Sequence, residues 1–239
     1  MEKKKIIDIH AHILPGIDDG ARDWKETEAL LDAAWEQGIC HIIATPHFSR
    51  RTDVDKLKEL KNRTAELAQK KGLDLEISLG QELRYFEELI WYLDQGKALT
   101  LAGSRYILVE FKPSDGYPTL KRAVHDLVQA GYIPILAHTE RYLSLREKGR
   151  TEELIEKGAC LQINGESLTG GIFDRTAAWC FREIRQGRIH FVASDMHRPD
   201  TRPPRLKEAF YKLTKKRLCP EPAALFEKNQ RYILENRVL

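Results

Sequence analysis

The chain has 239 residues, 42% hydrophobic and 31% charged, with 39 basic residues against 36 acidic ones. A net charge of +3 is too balanced for a nucleic-acid-binding surface. Mean hydropathy is -0.48 and no apolar run approaches the ~18 residues that span a membrane, so direct membrane insertion is not expected.

The length suits one domain over residues 1–239 with a full core. The opening Met1-Glu2-Lys3-Lys4-Lys5 is basic but lacks the apolar stretch and cleavage site of a secretory signal, so the expected compartment is the cytoplasm. Of the cysteines at 40, 160, 180 and 219, no two form C-x-x-C, and none has an arginine six residues later. The C-x5-R loop of cysteine-based phosphatases is therefore absent. Cys40 and Cys160 lie in apolar strand patterns and are expected to be buried thiols.

Strand and helix patterns alternate along the chain. Residues 6–10 read as a strand, 25–37 as a helix stopped by Gly38, and 39–45 as a second strand. A charged amphipathic helix spans 54–71, a third strand 75–80 and a short helix 86–93. Strands follow at 106–111, 133–138, 160–164 and 189–194, separated by helices at 120–130, 151–157 and 174–186. Helices at 205–217 and 223–236 end the pattern. Short apolar strands that each return through a helix imply parallel pairing with right-handed crossovers. No Rossmann glycine pattern is present. The expected fold is α/β, a distorted seven-unit (β/α) TIM-like barrel, with an open doubly wound sheet as the alternative.

Chemistry in such a barrel sits at the C-terminal ends of the strands. The first strand ends in His10-Ala11-His12, with Asp19 in the loop beyond. His10 and His12, two apart on a strand, project together. His47 follows the second strand, Glu82 the third, and Glu110 lies at the end of the fourth. His138 ends the fifth, the sixth offers only Asn164, and Asp195 and His197 end the seventh. Of eight histidines, the other three (His41, His125 and His190) fall at strand starts or on a helix and read as structural or exposed. Scattered histidines do not sort this way.

These nine imidazoles and carboxylates exceed what one ion needs, which points to a di- or trinuclear centre. A set without thiolate suits Mn2+, Fe2+ or Zn2+. Glu82 or Glu110 is the natural bridge, since each lies between histidine-bearing strands. Arg141 and Arg202 follow two of the ligand-bearing strand ends, where a guanidinium fork can bind phosphate oxygens. Arg22, Arg50 and Arg51 lie in rim loops and are further candidates. Asp8 shares its strand face with His10 and is a candidate support for a ligand. Tyr85 and Phe86 line either a pocket or the core, and the four tryptophans read as helix packing.

The ordered set resembles the polymerase and histidinol phosphatase (PHP) domain, and IDIHAHILPGIDDGA, ATPHF, GQEL, VEF, AHTERY and ASDMHRPDTRPP resemble its bacterial protein-tyrosine phosphatases of capsule and exopolysaccharide operons. The resemblance covers nearly the whole chain. It implies His10, His12, Glu82 and Asp195 on one metal, Glu82, Glu110 and His138 on a second, and Asp19, His47 and His197 on a third. It implies manganese, two or three ions per chain, with Fe2+, Zn2+ or Mg2+ as alternatives. Arg141 and Arg202 match its phosphate-binding arginines. Its substrate is phosphotyrosine on a cognate bacterial tyrosine kinase, often in a tyrosine-rich tail, so peripheral membrane association through that kinase is compatible. Hydrolysis would use metal-bound hydroxide without a cysteinyl-phosphate. Rival expectations are a histidinol-phosphate phosphatase or other phosphoesterase with the same metals, and a non-catalytic, metal-stabilised kinase-binding module.

Overall fold

A computed structural model describes residues 5–171, 173–217 and 219–239; most of the basic opening stretch, residues 1–4, lies outside them. Eight strand segments appear: β1 (Ile6–Ala11), β2 (Ile39–Ala44), β3 (Glu76–Leu79), β4 (Glu82–Arg84), β5 (Tyr106–Glu110), β6 (Ile133–Leu136), β7 (Cys160–Asn164) and β8 (Phe191–Ala193). The helices are α1 (Trp24–Glu36), α2 (Val54–Lys70), α3 (Leu89–Asp94), α4 (Tyr117–Gln129), α5 (Arg150–Glu156), α6 (Arg175–Arg185), α7 (Leu206–Lys216) and α8 (Lys228–Leu234). Asp23, Asp53 and Asp174 cap α1, α2 and α6 by accepting first-turn amide hydrogen bonds.

All strand pairs are parallel, in the orders β1-β2-β3 and β4-β5-β6-β7-β8. The two sheets meet at two seams. At one, Glu82 N donates to Pro46 O and Phe48 N to Glu82 O. At the other, His12 N donates to Met196 O and Asp195 N to His10 O. The strand order thus returns on itself, in a distorted barrel-like arrangement.

The predicted third strand, 75–80, is β3, and β4 is a further short strand just after it, where sequence places a rim loop. A Cβ on Gly80 would stand 2.8 Å from Leu101 Cδ2, so the chain bends around the Leu101 turn. β3 pairs with β2 and β4 with β5. The predicted helix over 223–236 is also broken. Phe226 is buried and its carbonyl accepts from Ile7 N at the start of β1, which pins it out of helical geometry. A 3-10 turn (Pro222–Leu225) and α8 flank it.

A cluster of Ile7, Ile9, Ile43, Tyr106, Leu108, Ile135, Cys160, Phe191 and Ala193 draws on six strands. A larger one packs strand residues against the helices. Period 2 carries the first cluster upward: Tyr106 and Leu108 lead to Glu110, Cys160 to Gln162 and Asn164, and Phe191 and Ala193 to Asp195. On β1 a register irregularity lies between Asp8 and Ala11, where His10 is set. Cys40 is only half-buried, unlike Cys160. Trp91 is exposed with Lys97 over its ring, so it does not pack as its helix pattern predicts. Among the described residues, no helix is long and apolar enough to cross a membrane.

Candidate metal centre

The histidines and carboxylates of the strand ends converge. His10 Nε2 lies 3.2 Å from His12 Nε2, 3.2 Å from Glu82 Oε2 and 3.3 Å from Asp195 Oδ1. His12 Nε2 is 3.3 Å from Glu82 Oε2. His47 Nδ1 is 3.2 Å from the same oxygen, and His138 Nε2 is 2.9 Å from Glu82 Oε1. Glu82 is therefore the hub of these contacts, ahead of Glu110. Glu110 stands 3.7 Å from both His47 and His138. Asp19 Oδ1 is 3.4 Å from His47 Nε2 and 3.4 Å from His197 Nε2.

These separations test whether cations fit. Ligand atoms about 2.0–2.2 Å from one ion stand about 3.0–3.5 Å from one another. The contacts around Glu82 Oε2 fall in that range. Three sets can each hold an ion: His10, His12 and Asp195; His47, Glu82 and Glu110; and His12, Asp19, His47 and His197. The first set lacks the Glu82 that the resemblance implies there, although Glu82 Oε2 is 3.2 Å from His10 Nε2, and the third adds His12 to the implied Asp19, His47 and His197. In the second, His47 is grouped where the resemblance implies His138, although His138 remains within reach of both carboxylates. The donors are imidazole and carboxylate without thiolate, the chemistry of Mn2+, Fe2+ and Zn2+.

The ring orientations suit this use. His12 Nδ1 is bonded to Asp18 Oδ2 at 2.7 Å, and His197 Nδ1 donates to the Asp195 carbonyl at 2.9 Å. Each leaves Nε2 for the centre. Asp18 also accepts from the amides of His47 and Gly20. The chain comes close there: a Cβ on Gly20 would lie 2.2 Å from the His12 carbonyl.

Burial and charge follow the same plan. His10, His12, Glu82 and Asp195 form a floor at most 2% exposed, whereas His47, Asp19, Arg141 and Arg202 stand at 27–68% and mark the mouth. Burial disfavours charge on His12, but its bonds to Asp18 and Glu82 prevail and push it up to about 10. His10 is likewise raised, by Glu82 and Asp195 against burial. Burial would raise Asp18, but His12 holds it down at about 2. Burial and the neighbouring His12 charge push His197 down to about 4. Without cations, protons supply the positive charge this floor of carboxylates demands.

Two arginines close one side. Arg141 Nη2 donates to Asp195 Oδ2 at 2.9 Å, and Arg202 Nη2 donates to the same oxygen. Their guanidinium groups therefore lie together beside the cluster. Arg22 pairs instead with Glu26 and Arg50 with Glu88, and Arg51 is exposed. Asp8 does not touch the His10 ring; it binds Ser194 N and Oγ and joins β1 to the end of β8. Tyr85 and Phe86 pack on the core, Phe86 stacked on Phe48. His41 and His190 bond to Ser78 and Leu161, and with His125 they stand outside the three sets.

Asp18, Gln162 and Arg84 are not singled out by sequence, and Asn164 only as what the sixth strand offers. Asp18 was legible only as half of an acidic pair. Gln162 and Asn164 carry a signal in their period-2 placement, polar side chains on the inward face of an apolar strand. Arg84, two residues after Glu82, reaches within 3.5 Å of Glu110.

Residues 6–235 match the family described as capsular polysaccharide synthesis, CpsB/CapC. The chain is 37% identical over 239 residues to the tyrosine-protein phosphatase YwqE of Bacillus subtilis, covering 98% of this chain and 93% of that protein. It is 31% identical over 243 residues to the tyrosine-protein phosphatase CpsB of Streptococcus pneumoniae, covering 98% and 100%. A solved structure from work on those two proteins, described as unique metal-dependent tyrosine phosphatases, superposes with a TM-score of 0.90 at 35% identity, over 98% of this chain and 96% of that one. A phosphotriesterase homology protein of Escherichia coli shares the fold at a TM-score of 0.63 and 11% identity, over 98% of this chain and 100% of that one. By sequence and by structure, the chain belongs to the CpsB/CapC family of capsular polysaccharide synthesis.

Proposed function

We propose that the chain is a metal-dependent protein-tyrosine phosphatase that acts on a cognate bacterial tyrosine kinase and so regulates capsular or exopolysaccharide synthesis. One observation carries this reading: Arg141 and Arg202 meet on Asp195 Oδ2, at the open side of a cluster whose atoms are spaced for shared cations. Two or three bound manganese ions would supply Lewis-acid charge and bring the pKa of a water to near neutrality. His10, His12, Glu82, Asp195 and His197 would hold the buried side of that centre, and His47 and Asp19 its mouth. Glu110 and His138 complete it beside Glu82.

The phosphate enters where the arginines stand. Each guanidinium is held in place by Asp195 and is part-exposed at the mouth, with Arg202 Nη1 also 3.2 Å from the ring nitrogens of His197. Two adjacent forks match the equatorial oxygens of a phosphoryl group and stabilise the charge that grows there. Cys160 and Cys180 are poor nucleophiles: burial pushes the Cys160 thiol up to about 12, and Cys180 is also raised by burial. The relatives' tyrosine-phosphatase names support an aryl phosphate on a protein, and their capsule role supports a kinase partner. With no spanning helix among the described residues, any membrane association would come through that kinase.

The test is phosphate release from a phosphotyrosine peptide by chelator-stripped protein, with Mn2+, Mg2+ or Zn2+ restored, and histidinol phosphate run beside it. Activity on the peptide that returns with Mn2+ is expected. Release from histidinol phosphate alone would replace this reading with the metabolic one.

A further inference from the structure

Strand β7 delivers no candidate ligand, yet its two inward residues touch the centre. Gln162 Oε1 accepts from His138 N at 2.8 Å and faces His10 Nδ1 at 3.3 Å. Gln162 Nε2 donates to Asn164 Oδ1 at 2.9 Å, and Asn164 Nδ2 donates to Asp195 Oδ2 at 2.7 Å. Asn164 is itself anchored, its backbone N donating to Glu140 Oε1. Gln162 and Asn164 are both buried.

Only one orientation of both amides satisfies these contacts. Asp195 Oδ2 already accepts from the guanidinium groups of Arg141 and Arg202. The side chain facing it must donate, so Asn164 Nδ2 points there. Asn164 Oδ1 then faces Gln162 and requires Gln162 Nε2 on that side. Gln162 Oε1 is left for the other side, where His138 N–H and His10 Nδ1 stand. Nδ1 of His10 must therefore carry a hydrogen, which makes Nε2 the nitrogen that faces Glu82, Asp195 and a bound ion.

The two residues this pair grips from β7 share a backbone peculiarity. His138 has φ 35° and Asp195 has φ 54°, both in the left-handed region that disfavours residues with a Cβ. Gln162 holds the amide of the first and Asn164 the carboxylate of the second.

We infer that Gln162 and Asn164 form a polar relay that fixes the His10 tautomer and holds His138 and Asp195 in their left-handed conformations, making them positioning residues for the metal centre. The inference rests on the metal-dependent reading above. It also gives β7 its place in a ring where every other strand supplies ligands or leads directly into one.

The test uses the full chain without substrate and reads Mn2+ affinity by titration after chelator treatment. Gln162→Leu fills the same space but accepts nothing, and is expected to weaken Mn2+ binding about 10- to 100-fold. Gln162→Glu keeps an acceptor for His10 and His138 but loses the donor to Asn164 Oδ1, and is expected to weaken Mn2+ binding less than leucine does. A packing role predicts the reverse order, since a buried apolar side chain is tolerated where a buried charge is not. Leucine binding as tightly as wild type, or glutamate losing as much as leucine, would overturn the relay. A wild-type chain that binds no Mn2+ would instead remove the metal reading beneath it. The unsubstituted protein gives an independent check. Loaded with diamagnetic Zn2+, its 1H–15N spectrum should show a protected His10 Nδ1–H, and an Nε2–H there would sink the inference.

Discussion

Asp18 Oδ2 lies 2.7 Å from His12 Nδ1, and that contact decides which imidazole nitrogen faces the centre. The same carboxylate accepts from His47 N at 2.9 Å. It thus sets the ring of one candidate ligand and the backbone of another. Asp18→Asn keeps the size but loses the charge that holds His12 in this tautomer. Mn2+ affinity is expected to fall about 10- to 100-fold, with the fold retained, as measured by metal titration and circular dichroism. Unchanged affinity would reduce Asp18 to a turn residue.

The arginine pair is separable from the metals. Arg141 and Arg202 both lean on Asp195 from the mouth, and neither belongs to a set of candidate ligands. Arg202→Ala should bind Mn2+ as wild type does while kcat/KM for a phosphotyrosine peptide falls about 100- to 1,000-fold. Arg202→Lys should recover little, because an ammonium lacks the planar fork. Inorganic phosphate should inhibit the wild type more strongly than either variant. Equal inhibition of all three would remove the clamp.

Much of this centre was legible because ligand atoms at strand ends obey a simple rule. A parallel β/α pattern places every strand terminus on one rim, so His10, Glu82, His138 and Asp195 could be grouped from sequence order alone. Their supports were not legible in the same way. Asp18, Gln162 and Asn164 act through contacts between strands far apart in sequence, and an amide on an apolar strand looks like any other polar residue. The fold departed from its pattern where tertiary contacts overrode local propensity. Phe226 broke a helical pattern because its carbonyl serves Ile7, and an unpredicted strand, β4, follows the close approach of Gly80 to Leu101.

Gly20 makes the floor possible. Ala21 N donates to the His12 carbonyl, and that close approach leaves a Cβ at Gly20 2.2 Å from the same oxygen and 2.5 Å from His12 Cβ. Gly20→Ala must push the Asp18–Ala21 turn away from His12. A loss of about 1–3 kcal/mol is expected in chemical denaturation of the chelated protein, with weakened Mn2+ binding, since Asp18 moves with the turn. A variant as stable as wild type would mean that the turn relaxes freely.

Protons and metal ions compete for the same nitrogens, which sets opposite pH trends for the two forms. In the metal-free chain His12 is pushed up to about 10 and His10 is also raised, while an unfolded histidine titrates near 6.5. The folded state therefore holds more protons above pH 6.5. The stability these groups contribute is complete below that pH and is lost as pH rises toward about 10. Chelated protein should melt at progressively lower temperature from pH 6.5 to 8. Metal uptake expels the same protons, so apparent Mn2+ affinity should rise over that interval, about tenfold per pH unit for each proton displaced. His197, held down at about 4, has no proton to release there. Calorimetric titration in buffers of different ionisation enthalpy counts the protons directly. Release of at least one proton per chain at pH 7 is expected, and release of none would mean that His10 and His12 are already neutral before the metal arrives.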